Sequence, residues 1–283
     1  MPATSPPPRS FVDRFIRRFQ FVSYLGATLI IYLIAATALG LAATPALWFL
    51  DHTVGWAAQL PTWAGYPAFG TLIALAFFLA GFSLLVVVPI YNRILPTRIE
   101  HFKGEYYTIA ALPWFIHNAL FYLVRFTFLP FVTLTPFGLW FLRAMGMRTG
   151  RRAYINTELI SDPQLITLGD DVVIGGSATI FAHYGGGGYL VIEPVVIGSR
   201  ATIGLRATVM GDVIIGEGAT ILAHSVLLPG SRVGEGETWG GVPARPIPRE
   251  EMDRIKAVIR GEREPLPKDG VSSGASRGDL LPR

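Results

Sequence analysis

The forty residues VVIGSRATIGLRATVMGDVIIGEGATILAHSVLLPGSRVG, at positions 195–234, repeat with a period of six. An aliphatic residue recurs at every sixth position, and the residue four places later is mostly small; the aliphatic series is Ile197, Ile203, Val209, Ile215, Ile221, Leu227 and Val233. This period fits neither a helix, at about 3.6 residues, nor the two-residue alternation of a plain strand. It is typical of a parallel β-helix, in which short strands wind around a three-sided prism. We predict about four to five such coils.

The repeat is interrupted upstream of this stretch. Leu168, Ile174 and Ile180 keep the six-residue spacing, but Ile180 and Val191 are eleven positions apart. Counting Val191 as the next repeat position leaves five surplus residues. We therefore predict a loop extruded from one corner of the prism.

The surplus residues lie beside a run of glycines, Gly185–Gly188, and directly after His183. With five residues subtracted, His183, Arg206 and His224 are spaced by one coil each and are expected to form a column on one face. Their outer two imidazoles would then lie roughly 9–10 Å apart, two inter-coil steps. A flexible excursion without any role is the alternative interpretation of the glycine run.

Two long uncharged stretches precede the repeat. Only 16% of the residues are charged, and no Asp, Glu, Lys or Arg lies between Arg18 and Asp51 or between Asp51 and Arg93. Each gap exceeds the roughly 20 apolar residues that cross a bilayer. We predict transmembrane helices at about 20–43 and 67–91, with a cleaved secretory signal as the alternative for the first.

Basic residues flank these two stretches on one side of the predicted membrane. Four arginines precede the first stretch, and Arg93, Arg98 and Lys103 follow the second, whereas the connection carries only Asp51 and His52. Cations favour the cytoplasmic side. The sequence therefore predicts a multi-pass protein of the inner (cytoplasmic) membrane, with both termini and the β-helix in the cytoplasm and membrane lipids as partners.

An aromatic, nearly uncharged segment follows. Prolines at 113, 130 and 136 argue against one long helix, so short helices at the membrane interface are expected, although residues 108–142 could also include a span. Asn118, Tyr122 and Arg125 share one helical face, with His117 beside them. That face is either hydrated or, in the functional interpretation, the acceptor side of a site formed by His117, Asn118 and Arg125.

These patterns divide the chain into five parts. They are a disordered, basic N-terminal segment at 1–18, two transmembrane helices within 19–105, interfacial helices at 106–148, the β-helix at 149–247, and a short helix with a disordered tail at 248–283. The absence of cysteine excludes disulfides, thiolate metal sites and a cysteine nucleophile. The net charge is +4, and basic residues flank the predicted membrane segments, so the charge does not indicate nucleic acid binding.

The chain resembles the hexapeptide-repeat acyltransferases, which are left-handed β-helix trimers. The resemblance rests on the repeat, on HYGGGG at 183–188 and on WGGVPARPI at 239–247. It implies a left-handed β-helix, a homotrimer, His183 as the catalytic general base, and Arg206, His224 and Tyr184 as possible supporting residues. It also implies a binding channel for the donor, acyl-CoA or another pantetheine thioester, along Trp239, Gly241, Pro243, Ala244 and Arg245.

Residues 20–247 further resemble one unit of the membrane-embedded terminal region of poly-lysine-type nonribosomal peptide synthetases. The stretch RAMGMRTGRRAYINTELISDPQLITLGDDVVIGGSATIF, at 143–181, carries this likeness. Those synthetases contain three such units in tandem, which implies that three copies of this chain assemble, and that a carrier protein is a possible partner. No tightly bound cofactor and no metal are expected.

The sequence thus predicts a membrane-bound acyltransferase, of the acetyltransferase type, that acts on a hydroxyl or amine acceptor. Two alternatives belong to other classes. A non-catalytic trimeric scaffold would use the same features for docking, and a zinc lyase on the same prism would need three imidazoles per metal, whereas the repeat region carries only His183 and His224.

Overall fold

A computed structural model describes residues 11–106 and 108–259. Its helices are α1 (Phe11–Arg18), α2 (Gln20–Ala57), α3 (Thr62–Ile94), α4 (Leu112–Arg125), α5 (Leu129–Val132), α6 (Pro136–Ala144) and α7 (Arg249–Ile259). The helix α7 belongs to a second compact unit that begins at Ile247. The predicted disorder of 1–10 and of the tail beyond α7 falls outside the described residues.

The strands are short and follow one another closely along the chain. They are β1 (Phe102–Glu105), β2 (Arg148–Thr149), β3 (Tyr154–Ile155), β4 (Ile160–Ser161), β5 (Ile166–Leu168), β6 (Val173–Ile174), β7 (Thr179–Phe181), β8 (His183–Gly186), β9 (Tyr189–Ile192), β10 (Val195–Ile197), β11 (Thr202–Ile203), β12 (Thr208–Val209), β13 (Val213–Ile215), β14 (Thr220–Ile221), β15 (Val226–Leu227), β16 (Arg232–Val233), β17 (Thr238–Gly240) and β18 (Arg245–Pro246).

Three parallel sheets form the walls of a β-helix of about five coils. The first wall has the order β2-β5-β10-β13-β16, the second β3-β6-β11-β14-β17 with β18 at its edge, and the third β4-β7-β12-β15. The repeated aliphatic side chains are buried in the centre, where each stacks on its equivalent one coil away. The parallel coil predicted from the six-residue period is therefore confirmed, while its left-handedness stays a prediction.

The interruption is larger than the sequence count indicates. Ile197 pairs with Ile215, 18 residues later, but its partner in the preceding coil is Leu168, 29 residues earlier. The extruded segment therefore has eleven residues, and the estimate of five is wrong. The estimate is too small because it treats Val191 as a repeat position. This buried aliphatic residue lies in the extruded segment and fits the six-residue spacing only by coincidence.

The extruded segment is an ordered β-hairpin. Strands β8 and β9 pair antiparallel around a two-residue turn, Gly187–Gly188, in which both residues have positive φ. Such turns match the natural twist of hairpin strands and favour glycine. Strand β1 pairs with β9 on the other side, with Phe102 opposite Ile192, so that the hairpin is one part of a three-stranded sheet. This finding excludes the flexible excursion.

We predict that Gly185→Ala destabilises the protein by about 1–3 kcal/mol, whereas Gly186→Ala is nearly neutral. A Cβ on Gly185 would overlap the hydroxyl of Tyr106 and crowd the carbonyl oxygen of Tyr189, whereas a Cβ on Gly186 meets nothing within 4 Å. Thermal unfolding of the detergent-solubilised variants measures the difference. Equal losses in both would show that the Tyr106 contact is unimportant.

The two predicted spans lie inside longer helices. α2 has 38 residues and α3 has 33, and both are long and apolar enough to cross a membrane, judged by length and composition. Each helix therefore extends beyond the roughly 20 residues that a bilayer core requires. Residues 11–18 form α1, in which Phe11 and Phe15 are about one helical turn apart and share a face.

The aromatic segment forms three short helices between α3 and the first coil. Its three prolines lie in the first turns of α4, α5 and α6, where the missing amide proton costs nothing. Phe121, Phe128 and Phe141 are fully buried in one continuous core that includes Leu85 of α3 and Ile160 of the coil. This helical layer therefore closes the N-terminal end of the β-helix.

Candidate active site

His183 lies at the corner where the hairpin leaves the β-helix. Its Nδ1 is 2.5 Å from Oδ2 of Asp162, and its side chain keeps 23% of its surface exposed. The indole of Trp114 meets the imidazole edge-on at 5.0 Å, and Phe181 contacts it at 5.4 Å between ring centres. The ring is thus held on three sides and remains accessible.

Asp162 is completely buried and accepts four hydrogen bonds. Oδ1 accepts from Nε1 of Trp114 at 2.8 Å and Nδ2 of Asn118 at 3.0 Å, while Oδ2 accepts from the amide of Ala182 at 3.1 Å and from His183. The backbone of Asp162 is left-handed, with φ of 58°. An aspartate tolerates this conformation at a corner better than most residues do.

The environment of Asp162 keeps its carboxylate charged. Burial opposes ionisation, but the hydrogen bond and charge of His183, with the hydrogen bond from Asn118, outweigh it and lower the pKa of Asp162 below its ordinary value. An ionised carboxylate only accepts hydrogen bonds. In neutral His183 the proton therefore sits on Nδ1, and Nε2 presents a lone pair, which is the form a general base needs.

Sequence reasoning missed Asp162 and Trp114. Asp162 comes from the corner one coil before His183, and Trp114 comes from α4, 69 positions away from His183. The only signal at Asp162 was its place before Pro163, which is typical of a turn. The six-residue period carries no information about α4.

His117, Asn118 and Arg125 belong to α4 and make contacts with the elements packed against it. His117 and Asn118 are buried, so a hydrated helix face is wrong for them. Asn118 bonds to Asp162, and Nη1 of Arg125 bonds to Oγ of Ser161 at 3.0 Å. Buried atoms of all three, namely Nε2 of His117, Oδ1 of Asn118 and Nε of Arg125, have no hydrogen-bond partner among the described residues.

His117 belongs to a buried polar group beside the site. Its Nδ1 lies 2.8 Å from Oδ1 of Asn92 in α3 and 3.0 Å from Nε2 of Gln164. Burial lowers the pKa of His117 to about 4, although the charge of Asp162 opposes the shift. The imidazole is therefore neutral at pH 7.

We predict that this histidine makes the fold acid-sensitive between pH 6.5 and 4. Above pH 6.5 His117 is neutral in both the folded and unfolded states, whereas below it the unfolded state binds the proton more readily, so the free energy of unfolding falls. The total loss is about 3 kcal/mol. Thermal unfolding against pH should show this decline in the wild type and a flatter curve in His117→Asn; parallel curves would assign the decline to other groups.

Arg206 and His224 do not form a column with His183. The observed register aligns them with Ser177, and all three have positive φ at the corner between the second and third walls. His183 lies at the next corner, after the third wall. The predicted column is wrong because it used a five-residue loop. Arg206 and His224 are exposed.

Tyr184 follows His183 in β8 and lies opposite Val191 in β9. Its burial, together with the charges of Asp212 and Glu193, raises the pKa of the phenol. The phenol is therefore protonated at pH 7. Adjacent strand residues direct their side chains to opposite faces, so the support that Tyr184 could give His183 stays a prediction.

The predicted donor-binding residues form the end of the β-helix. Trp239 lies in β17 and donates from Nε1 to Glu237 at 2.9 Å, and Arg245 lies in β18, opposite Gly240. Between them, the amide of Gly241 donates to Oγ of Ser225, and buried Ala244 donates to the carbonyl of Val226. Pro243 is exposed in the same turn.

Within one chain, these residues and His183 lie apart. Trp239 belongs to the second wall in the last coil, whereas His183 leaves the third wall in the second coil. Three inter-coil steps separate the two coils, which is about 14 Å along the axis. The structure therefore brings His183 together with Asp162 and Trp114, and not with Trp239.

An apolar cavity lies behind the aromatic side of the site. It has a volume of about 340 Å³ and is lined by residues of α1 and α2 on one side and by Tyr106, Leu112 and Phe115 on the other. Phe115 contacts Trp114 at 5.0 Å, and Trp114 contacts His183. The described residues contain no group of three or more His, Cys, Asp and Glu side chains that could hold a metal ion.

No family model and no curated protein matches the chain. Part of it is similar to solved structures: a hexapeptide-repeat acetyltransferase from Vibrio cholerae (26% identity, 37% of this chain, TM-score 0.35), a maltose O-acetyltransferase from Clostridium difficile (19%, 42%, 0.36) and a galactoside acetyltransferase in complex with coenzyme A (19%, 51%, 0.37). The chain covers 63%, 81% and 85% of their respective lengths. Since the TM-scores are below 0.5, these likenesses carry no conclusion about the activity of this chain.

Proposed function

We propose that the protein is a membrane-bound acyltransferase that moves an acyl group, most simply acetyl, from a pantetheine thioester to a hydroxyl or amine. One observation carries the proposal: His183 stands accessible at an extruded corner, with its Nδ1 bonded to the buried carboxylate of Asp162. This hydrogen bond orients the imidazole and favours the tautomer with its proton on Nδ1, which leaves Nε2 available as the general base.

In the proposed reaction, Nε2 of His183 takes the proton from the acceptor as its oxygen or nitrogen attacks the thioester carbonyl. The new bond to carbon forms, the carbon–sulfur bond breaks, and the imidazolium returns its proton to the leaving thiolate. Asp162 stabilises the transient imidazolium through Nδ1. Backbone amides, or Arg206 of a neighbouring copy, would stabilise the oxyanion.

The proposed location is the inner membrane, with both termini and the β-helix in the cytoplasm. A soluble core helix is mostly buried, but only 11% and 33% of the most apolar windows of α2 and α3 are buried. Exposed apolar faces of this size favour contact with lipid. The basic residues that flank both helices support the orientation.

The proposed assembly is a homotrimer. Its support is that the donor segment around Trp239 and the base His183 lie on different walls of one chain, so that a site between copies would take its base from one copy and its donor segment from the next. In this arrangement Trp239, Gly241, Pro243, Ala244 and Arg245 of one copy face His183 of the next. His224, on a different corner from His183, has no role in the proposed chemistry.

The proposed donor is acyl-CoA or an acyl group on the pantetheine of a carrier protein; the latter follows from the likeness to peptide synthetase units, which stays a prediction. The acceptor would come from the membrane side. The apolar cavity supports this. Phe115 lines the cavity and contacts Trp114, which contacts His183, so a hydrocarbon chain in the cavity would be separated from the base by these two rings. Asn118 then acts through Asp162, and not as an acceptor ligand.

The test is thioester turnover by the purified full chain in detergent, measured as thiol release from acetyl-CoA, together with the mass of the protein–detergent complex. Turnover by a trimer supports the proposal. An intact trimer that turns over neither acetyl-CoA nor a carrier-bound acyl group would favour the scaffold.

A further inference from the structure

A second cavity, distinct from the candidate active site, is surrounded by arginines. It has a volume of about 510 Å³ and lies where the end of α3 meets the turn between α6 and β2. Four of its twelve lining residues are arginines, namely Arg93, Arg98, Arg143 and Arg148, and none is acidic. Four arginines around one space give it a positive electrostatic potential that attracts anions.

The chain itself neutralises little of this charge. Glu100 lies 3.6 Å from Arg98, but both side chains are largely exposed, and such pairs contribute little. The side chains of Arg93 and Arg148 have no hydrogen bond or ion pair within 11–106 and 108–259. The cluster therefore keeps a net positive charge that an anionic ligand would neutralise.

One arginine of the cluster is held in position. Arg143 donates from Nε to Oγ1 of Thr149 at 2.6 Å and from Nη2 to the carbonyl of Gly150 at 3.0 Å. The polar side of the cavity also includes Asn92 and Gln164, which bond to buried His117. Part of the cavity wall is thus fixed before any ligand arrives.

The chemistry of the cavity favours a phosphate. Guanidinium groups bind phosphate oxygens through paired, charge-assisted hydrogen bonds, and four arginines line this cavity. The side-chain amide of Asn92 can add a neutral donor, whereas Nε2 of Gln164 is already engaged with Thr97 and His117.

The position of the cavity identifies the source of that phosphate. Arg93 lies in the last turn of α3, the second proposed span, directly beside the exposed apolar side chains of Val86, Ile90 and Ile94. Basic pockets at the cytoplasmic end of membrane helices are suited to lipid head groups. We propose that this cavity binds the phosphate head group of an anionic membrane phospholipid, whose hydrocarbon chains lie along α3. The proposal rests on the membrane location proposed above and is independent of catalysis.

The test uses the full chain in a neutral detergent, titrated with phosphatidylglycerol or phosphatidylcholine. Binding is measured by native mass spectrometry and by the rise in melting temperature. We expect preferential binding of phosphatidylglycerol by the wild type, weakened on the order of tenfold in Arg93→Gln/Arg148→Gln. The matched control, Arg14→Gln/Arg18→Gln, removes the same charge next to the membrane but outside the cavity, and should bind as the wild type does.

Two other results would contradict the proposal. Equal weakening in both double variants would attribute binding to diffuse surface charge and overturn the site. Stabilisation by CoA or inorganic pyrophosphate that exceeds that by the lipid, and is lost in the cavity variant, would make it a site for a soluble phosphate. Arg148→Lys keeps the charge without the paired donors and should give intermediate affinity, so the proposal remains testable if the double variant does not fold. Thioester turnover is not read in this experiment, so its loss and the failure of the lipid site remain distinguishable.

Discussion

His183→Ala is expected to reduce thioester turnover by about 10²–10⁴-fold, the usual contribution of a general base. The substitution removes an accessible imidazole whose Nδ1 is bonded to the buried carboxylate of Asp162. The measurement is thiol release from acetyl-CoA by the purified protein, at saturating donor concentration. Stability should also fall, because the buried carboxylate of Asp162 loses the hydrogen bond and charge of His183, so thermal unfolding is measured on the same preparation.

The matched control for this prediction is His224→Asn. His224 is exposed on a different corner and has a left-handed backbone, which asparagine tolerates well. It should retain wild-type turnover. Equal activity of the His183 variant and the wild type would remove His183 from the mechanism.

Asp162→Asn should reduce turnover by a similar factor and also lower the free energy of unfolding. All four groups around the carboxylate are donors, and an amide has only one acceptor oxygen. If its NH₂ faces His183, the imidazole must carry its proton on Nε2 and cannot act as a base. If it faces Trp114 and Asn118, two buried donors lose their acceptor; each orphaned donor costs about 1–3 kcal/mol.

Turnover and thermal unfolding, measured on the same preparation, separate the two roles of Asp162. Trp114→Phe is the control, because it removes one donor to Oδ1 while leaving the bond between Oδ2 and His183 in place. It should cost stability and only a small part of the turnover. If Asp162→Asn loses stability but keeps its activity, the carboxylate is structural.

The fold could be predicted from the sequence because the information is local and periodic. Each coil is built from consecutive residues. The regular spacing of Ile197, Ile215 and Val233 in the sequence therefore gives the register of the strands in one wall. Uncharged length alone also located α2 and α3. The predicted length of the extruded segment is wrong because Val191 fits the six-residue spacing although it lies in the hairpin. Spacing alone does not show which strand is the partner of another.

The candidate site could be predicted only in part, since its parts lie far apart in the sequence. The interruption of the repeat indicates His183. The role of Asp162 is visible only in the structure, where the following coil brings His183 into contact with its carboxylate. The partners that Trp114 and Asn118 have in the coil depend on how α4 packs against it, and no pattern within α4 itself indicates this. Polar residues on an aromatic helix are the available signal; they suggest either a hydrated face or an acceptor side, and neither interpretation identifies Asp162 as the partner of Asn118.

The contribution of α4 to Asp162 means that the helical half cannot be regarded as a detachable tether. Two of the four hydrogen bonds that hold the carboxylate come from a helix packed directly on α3. In the proposed membrane location, a tilt that the bilayer imposes on α3 would reach the imidazole through α4. The thickness and composition of the membrane would then affect the proposed chemistry, and the β-helix without its helical half would lack two of the donors that hold Asp162.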